Sequence, residues 1–356
     1  MDESAMHDKN EAVSLQEKIT SQAQPALNRW WKLLPGYALA LAGLLWVLHD
    51  FQFSALREQL LHLKWKYVAL ALLCDVLGYF CQGWRWQLLL RNLGDISVRR
   101  ATQALLTGLF VSEVMPLSLG ELARSYLAAR WMNRRFAMVF PSVLIERLFD
   151  GVWITVALGL TALFVPLSED LMIVGDVLGA LVLLGVVALI WFFLRQPDFI
   201  PTSSPLLQSR SRLMRPVISF LLQLKEGLRL IGFRRGFYYS FAVSLLFLLL
   251  QALAFWLMMW GYGLQYSFWV GAAVLIIVLI GTMLPGPPGN LGTYQVSCVV
   301  GLTLFGVSKS LATGFSLVVF AVLTVPLWLL GFLALSRSGT TLLHLRREVS
   351  GATIYD

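Results

Sequence analysis

Apolar residues run along this chain in blocks too long and too even for the one-sided stripe of a soluble helix. A block of about 20 residues fills the hydrocarbon core of a bilayer. The pattern places spanning helices at Leu33–Phe53, Tyr67–Leu90, Leu148–Leu167, Leu171–Leu194, Phe237–Tyr262 and Leu311–Leu335. Two further apolar blocks are interrupted: Ala101–Ala129 at MPLSLGEL and Phe268–Gly306 at LPGPPGNL. Pro removes a backbone donor and clashes with the preceding turn. In lipid, broken backbone persists only where protein or a water-filled cavity surrounds it. The breaks share a pattern: Pro116, Gly120, Glu121 and Leu122 match Pro285, Gly289, Asn290 and Leu291, and Pro288 and Gly292 add to the second. Paired Gly/Pro interruptions in the two halves of a chain point to a site built from internal repeats.

Loop charge decides how the interrupted blocks run. Arg91, Arg99 and Arg100 precede the first break, and Arg124, Arg130, Arg134 and Arg135 follow it without an acid before Ile145. Both flanks belong on the cytoplasmic side. A single crossing would put one of them outside; a segment that dips in and returns keeps both inside. The arm Ala101–Met115 has 15 residues, about 22 Å as a helix, which enters the bilayer without spanning it. The same reasoning makes Phe268–Gly306 a second hairpin entering from outside. The expectation is an all-α polytopic membrane protein with about six spanning helices and two opposed re-entrant hairpins, arranged like inverted repeats. Residues 1–32 form a polar cytosolic tail, 33–335 the membrane domain and 336–356 a cytosolic C-terminal tail. The competing expectation is eight plain spans with Pro kinks.

Composition agrees. Of 356 residues 58% are apolar and 13% charged, against about 25% charged in ordinary soluble domains, and the mean hydropathy is +0.71. The net charge of +8 does not indicate nucleic acid, because the basic residues sit beside apolar blocks as membrane anchors. Cys74, Cys81 and Cys298 fall inside apolar segments and read as packing residues. His7, His49, His62 and His344 lack metal-ligand spacing, so no metal site is expected. No nucleotide-binding loop is present and no cofactor is expected.

Ionisable residues at membrane depth are costly and mark function by default. Asp75, Gly78, Gln82 and Arg85 recur on one helical face. Arg85 also fits snorkelling from the cytoplasmic end, whereas Asp75 is too short for that. Glu121 and Arg124, three apart, can meet on one face. In ERLFDG, Glu146 and Asp150 are four apart and Arg147 is three from Asp150. These sets read either as helix-end ion pairs of little worth or as a polar vestibule for a phosphate-bearing headgroup, which Arg grips through its planar fork. No Ser-His-Asp or Cys-His set can be placed, so no catalytic residues are assigned.

WRWQLLLRNLG, MPLSLGELARSYL, IERLFDG and LPGPPGNLGTYQ, in that order, resemble the lysylphosphatidylglycerol synthase transmembrane family, also called flippase-like. The resemblance covers about Tyr67 to Leu335. It implies a prokaryotic inner-membrane protein, both termini cytoplasmic, that moves a phospholipid or lipid-linked headgroup between leaflets. Membrane lipids are the implied partners, with a separate lipid-modifying enzyme as a possible second, since no synthase domain follows the last span. Arg85 and Trp86 match the family's Arg-Trp. Pro116, Gly120, Glu121 and Arg124 match its Pro-Gly-Glu-Arg element, and Glu146, Arg147 and Asp150 its Glu-Arg-Asp element. Pro285, Pro288, Gly289, Gly292 and Tyr294 fit the second break, where Gln295 stands in place of a frequent Glu. Ser112 and Glu113 occupy ground where Asn is common. Asn290 and Gln295 complete the expected substrate-binding set with Asp75, Arg85 and the three acid–base elements. The alternatives are an intramembrane transferase acting on a polyprenyl or phospholipid substrate, and an accessory subunit without transport of its own.

Overall fold

Every regular element of the described residues is helical. The computed structural model describes residues 34–49, 51, 53–115, 119–195, 214–283 and 287–340. The expectations for Pro116, Pro285, the N-terminal tail and most of the C-terminal tail lie outside the described residues.

Four helices are long and apolar enough to cross a membrane: α3 (Trp65–Leu90), α8 (Glu169–Arg195), α10 (Arg235–Tyr262) and α13 (Lys309–Ser336). They coincide with four of the expected spans. The first expected span is divided, with α1 (Leu34–Leu48) stopping near His49 and a short α2 (Phe53–Leu61) starting afresh. The polar stretch HDFQ offers nothing to hold a helix in lipid. The third is α7 (Pro141–Phe164), which begins a turn or two before the apolar block, with Pro141 in its first turn. A Pro there loses no helical hydrogen bond.

The interrupted blocks fold as two helical hairpins. In the first, α4 (Val98–Val114) packs antiparallel on α5 (Leu119–Trp131). Gly108 and Gly120 let them touch: a Cβ on Gly120 would strike the Gly108 carbonyl and the Ser112 hydroxyl, and one on Gly108 would lie 2.9 Å from the Arg124 Cβ. In the second, α11 (Phe268–Thr282) packs on α12 (Thr293–Leu304), with Gly281 against Ser297 and Gly301 against Val274. The matched pattern of the two breaks does not mean matched backbone. Gly120 is helical, inside the first turn of α5. Gly289 and Asn290 take left-handed φ of 67° and 53° in a 3-10 turn, Pro288–Asn290. The first Gly serves helix contact, the second chain reversal.

Each hairpin follows a long helix, α3 or α10, and those two run antiparallel along most of their length. Val68 lies against Gly261, Gly78 against Phe247, and the Leu88 carbonyl against Gly236. Small residues at such crossings let helix backbones approach without a solvent-driven force. α13 runs along α4, with Gly331 beneath Phe110 and Gln103 Nε2 donating to the Ala334 carbonyl at 3.1 Å. α8 packs on α7 through Gly175, Gly151 and Gly185 and turns Leu181, Leu183 and Leu184 outward. A predominantly apolar helix with that much exposed surface suits lipid contact.

A further helix lies in the basic stretch between α8 and α10. α9 (Met214–Ile231) buries Gln223, Gly227 and Ile231, four residues apart, and leaves Arg229 exposed. Its Gly227 sits on the Met138 carbonyl of α6 (Phe136–Val139).

Candidate functional site

Two large apolar clusters, with two smaller ones, make up the core of the described residues. One gathers Val68, Phe255, Phe315 and Val299; the other gathers Trp86, Leu127, Ile145 and Phe149. The second encloses the polar site.

α3 delivers Arg85 and Trp86, α5 delivers Glu121 and Arg124, and α7 delivers Glu146, Arg147 and Asp150. Arg85, 1% exposed, donates from Nε to Glu146 Oε1 at 3.0 Å and from Nη1 to Ser244 Oγ at 3.2 Å. It also forks onto Asp150, Nη1 to Oδ1 and Nη2 to Oδ2 at 3.4 Å. Glu146, also 1% exposed, turns its other oxygen to Arg124 Nη1, 2.8 Å away. Arg147 donates from Nε to Glu121 Oε1 at 2.7 Å, and its Nη2 binds the same oxygen. Arg147 Nη1 reaches Asp150 Oδ2 at 3.8 Å. Six ionised side chains from three helices thus form one chain of contacts, with three positive and three negative charges.

The network is graded in depth. The Arg85–Glu146–Arg124 part is buried, whereas the Arg147 side chain is 57% exposed. Buried ions need both partners and hydrogen bonds to offset lost hydration, and supporting residues supply some of these. Trp86 lies under the Arg124 guanidinium at 4.9 Å and donates from Nε1 to Ser142 Oγ at 2.9 Å. Phe247 lies under Arg85 at 5.3 Å. Arg124 is less completely engaged. Its contact with Glu146 is close, yet neither Arg124 Nη1 nor Glu146 Oε2 has a hydrogen-bond partner among the described residues. Arg124 is therefore held to Glu146 by charge at close range, without an aligned hydrogen bond from Nη1, in a buried position.

The structure brings together six of the nine expected binding residues: Arg85, Glu121, Arg124, Glu146, Arg147 and Asp150. The expected pairing of Glu121 with Arg124 along one helix is replaced by cross-helix partners, because α7 presents acids and a base to both. The helix-end reading of ERLFDG therefore gives way to a network joining three helices. Asp75, Asn290 and Gln295 stand apart. Asp75 lies ten residues from Arg85 on α3, about 15 Å along the axis. Gln295 is buried and accepts from the Gly292 N–H at 2.7 Å, closing the start of α12. Asn290 shapes the 3-10 turn: its carbonyl accepts from the Thr293 hydroxyl at 2.9 Å and its own φ is left-handed. Beside that turn, Gly289 approaches Glu113 of α4 so closely that an added Cβ would lie 2.8 Å from its carboxylate. The turn of the second hairpin therefore touches the C-terminal end of α4. Ser244 and Ser142 escaped the sequence reading; a lone Ser in an apolar block carries no signal of what faces it.

Fold and site define a polytopic helical membrane protein with a buried Arg–carboxylate network beside a helical hairpin. A family model, the lysylphosphatidylglycerol synthase TM region, matches residues 33–331, and the chain belongs to this family. Two relatives from Methanothermobacter thermautotrophicus, each called a UPF0104 membrane protein, are similar to it. One is 26% identical over 71% of this chain and 78% of its own length, the other 23% identical over 71% and 79%. No solved structure matches the chain.

Proposed function

We propose that the protein is a lipid translocase that passes a phosphate-bearing headgroup between leaflets while the acyl chains stay in the bilayer. The observation that carries this reading is Arg124, a buried guanidinium stacked on Trp86 and ion-paired through Glu146 to the six-residue network. Arg forks match phosphate geometry. Because the network is neutral as it stands, a phosphate must enter by exchange. Exposed Arg147 first trades Glu121 for the headgroup, and Arg124 then offers its donors one step deeper. Arg85 and Glu146 hold the geometry, and no chemical step is required of them.

In this reading the two hairpins are re-entrant, entering from opposite faces and meeting where Gly289 touches Glu113. The membrane is a prokaryotic inner membrane with the Arg130–Arg135 loop and both termini on the cytoplasmic side, in keeping with the excess of Arg there. A cysteine at exposed Asn133 should react with a membrane-impermeant reagent only from the cytoplasmic face, and one at Ser168 only from the other. Labelling of both from one face would exclude this topology.

The function itself is tested in vesicles of phosphatidylethanolamine and phosphatidylglycerol containing the purified chain and a headgroup-labelled phosphatidylglycerol. The expected result is protein-dependent exchange of label between leaflets with the lipid chemically unchanged. A new lipid product would establish a transferase, and neither exchange nor product would leave the accessory-subunit reading.

A further inference from the structure

A second acidic site lies away from the Arg network and is paired with no cation among the described residues. Asp75 is 9% exposed and its Oδ2 has no hydrogen-bond partner among the described residues. The Tyr79 hydroxyl, one turn on, interacts with that carboxylate and donates to the Leu323 carbonyl of α13 at 3.4 Å. Around them stand Cys74 from α3, Tyr294 and Cys298 from α12, and Glu113 from α4. α10 and α13 carry Arg235 and Lys309 only at their first residues, far from this level. Among the described residues no Lys, Arg or His forms an ion pair with Asp75 or Glu113. Pro326 lies within α13, and its missing N–H leaves the Val322 carbonyl without its helical donor. The helix is thus opened beside the residue Tyr79 touches.

An isolated carboxylate in an apolar interior is costly unless something neutralises it. Arg85, on the same helix, is already engaged with Glu146 and Asp150. A metal ion would want several oxygen or nitrogen ligands, and no group of three or more His, Cys, Asp or Glu side chains is assembled among the described residues. A proton needs one oxygen. The position also fits a coupling role. Glu113, half-buried, lies against Gly289 of the second hairpin and accepts from Trp328 Nε1 of α13 at 3.4 Å. Asp75 and Glu113 thus sit where α3, both hairpins and α13 converge.

We propose that Asp75 is a proton-binding site, with Glu113 and Tyr79 as its path to water, and that its loading is coupled to relative movement of the two hairpins. A proton taken from water forms an O–H bond at Asp75 Oδ2 and neutralises the carboxylate; return of that proton to water breaks the bond and restores the charge. What this cycle drives rests on the translocase reading above, but the site itself does not.

Two measurements separate the two claims. Infrared difference spectra of the purified protein through a pH titration should show a carboxylic acid band whose loss follows Asp75, absent in Asp75→Asn. In the phosphatidylglycerol vesicles, an imposed pH gradient should change the rate of lipid exchange in the wild type and leave Asp75→Asn indifferent. If Asp75→Asn does not fold, Tyr79→Phe should move the midpoint of the same band. A band unchanged in Asp75→Asn, an unmoved midpoint in Tyr79→Phe, a gradient response retained in Asp75→Asn, or a response to sodium alone would each overturn the proton site. Lipid exchange indifferent to the gradient in the wild type would overturn the coupling while sparing the translocase. A normal infrared signal without lipid exchange would overturn the translocase while sparing the proton site.

Discussion

Replacing Glu146 with Gln is expected to lower the stability of the folded protein by about 3–5 kcal/mol, the range for removing one partner of a buried ion pair. Glu146 has the most to lose of the three network acids. It is 1% exposed and its two oxygens serve two different guanidiniums, Arg85 and Arg124. Its neutral replacement leaves Arg85 with Asp150 alone and Arg124 with no paired carboxylate among the described residues. Glu121→Gln offers the contrast, because its partner Arg147 is more than half exposed and surface pairs contribute only about 0–1 kcal/mol. Unfolding of both variants in the same detergent micelles provides the check. Equal losses would mean that the buried and exposed parts of the network are not energetically distinct.

The Arg147→Lys variant should do the opposite: fold normally and move lipid poorly. Lys keeps the charge but presents a point donor instead of a planar fork. Arg147 uses that fork on Glu121 through Nε and Nη2, and the proposed headgroup uses it in turn. Hydrogen bonds to charged groups contribute about 1.5–3 kcal/mol, and each 1.4 kcal/mol is about tenfold in an equilibrium, so lipid exchange should fall by about tenfold or more. Arg124→Lys should show the same loss of exchange and, because the side chain is buried over Trp86, some loss of stability as well. Wild-type exchange in both variants would reduce the two arginines to anchors. Thermal stability and label exchange measured on the same preparations distinguish a folding defect from a transport defect.

Much of the site was legible as chemistry but not as contact. Spacing within ERLFDG predicted a local cluster, and Arg147 with Asp150 at 3.8 Å is the part of it that spacing can see. The stronger contacts join residues 61 to 65 positions apart, Arg85 with Glu146 and Asp150, and nothing local encodes them. The sequence also grouped Asp75 with Arg85 because both lie on one face of one helix. That face is long, and its two ends meet different neighbours: α7 and Ser244 at Arg85, α12 and α4 at Asp75. Gln295 looked like a ligand because the family often has an acid there, yet its oxygen is bound to the turn it follows.

The amino-acid sequence by itself determined the membrane class, the long apolar helices and the two interrupted ones, because hydrocarbon tolerates neither free backbone nor stray charge and so writes those constraints into composition and period. It also determined which residues were too costly to be idle at depth. Only the tertiary structure decided which charges neutralise one another. Ion pairing depends on helix crossings set by small residues such as Gly108, Gly120, Gly236 and Gly261, whose effect is to bring backbones together rather than to mark partners. That close packing separated the three arginines, each held by an acid from another element or the same turn, from Asp75 and Glu113, which pair with no cation among the described residues.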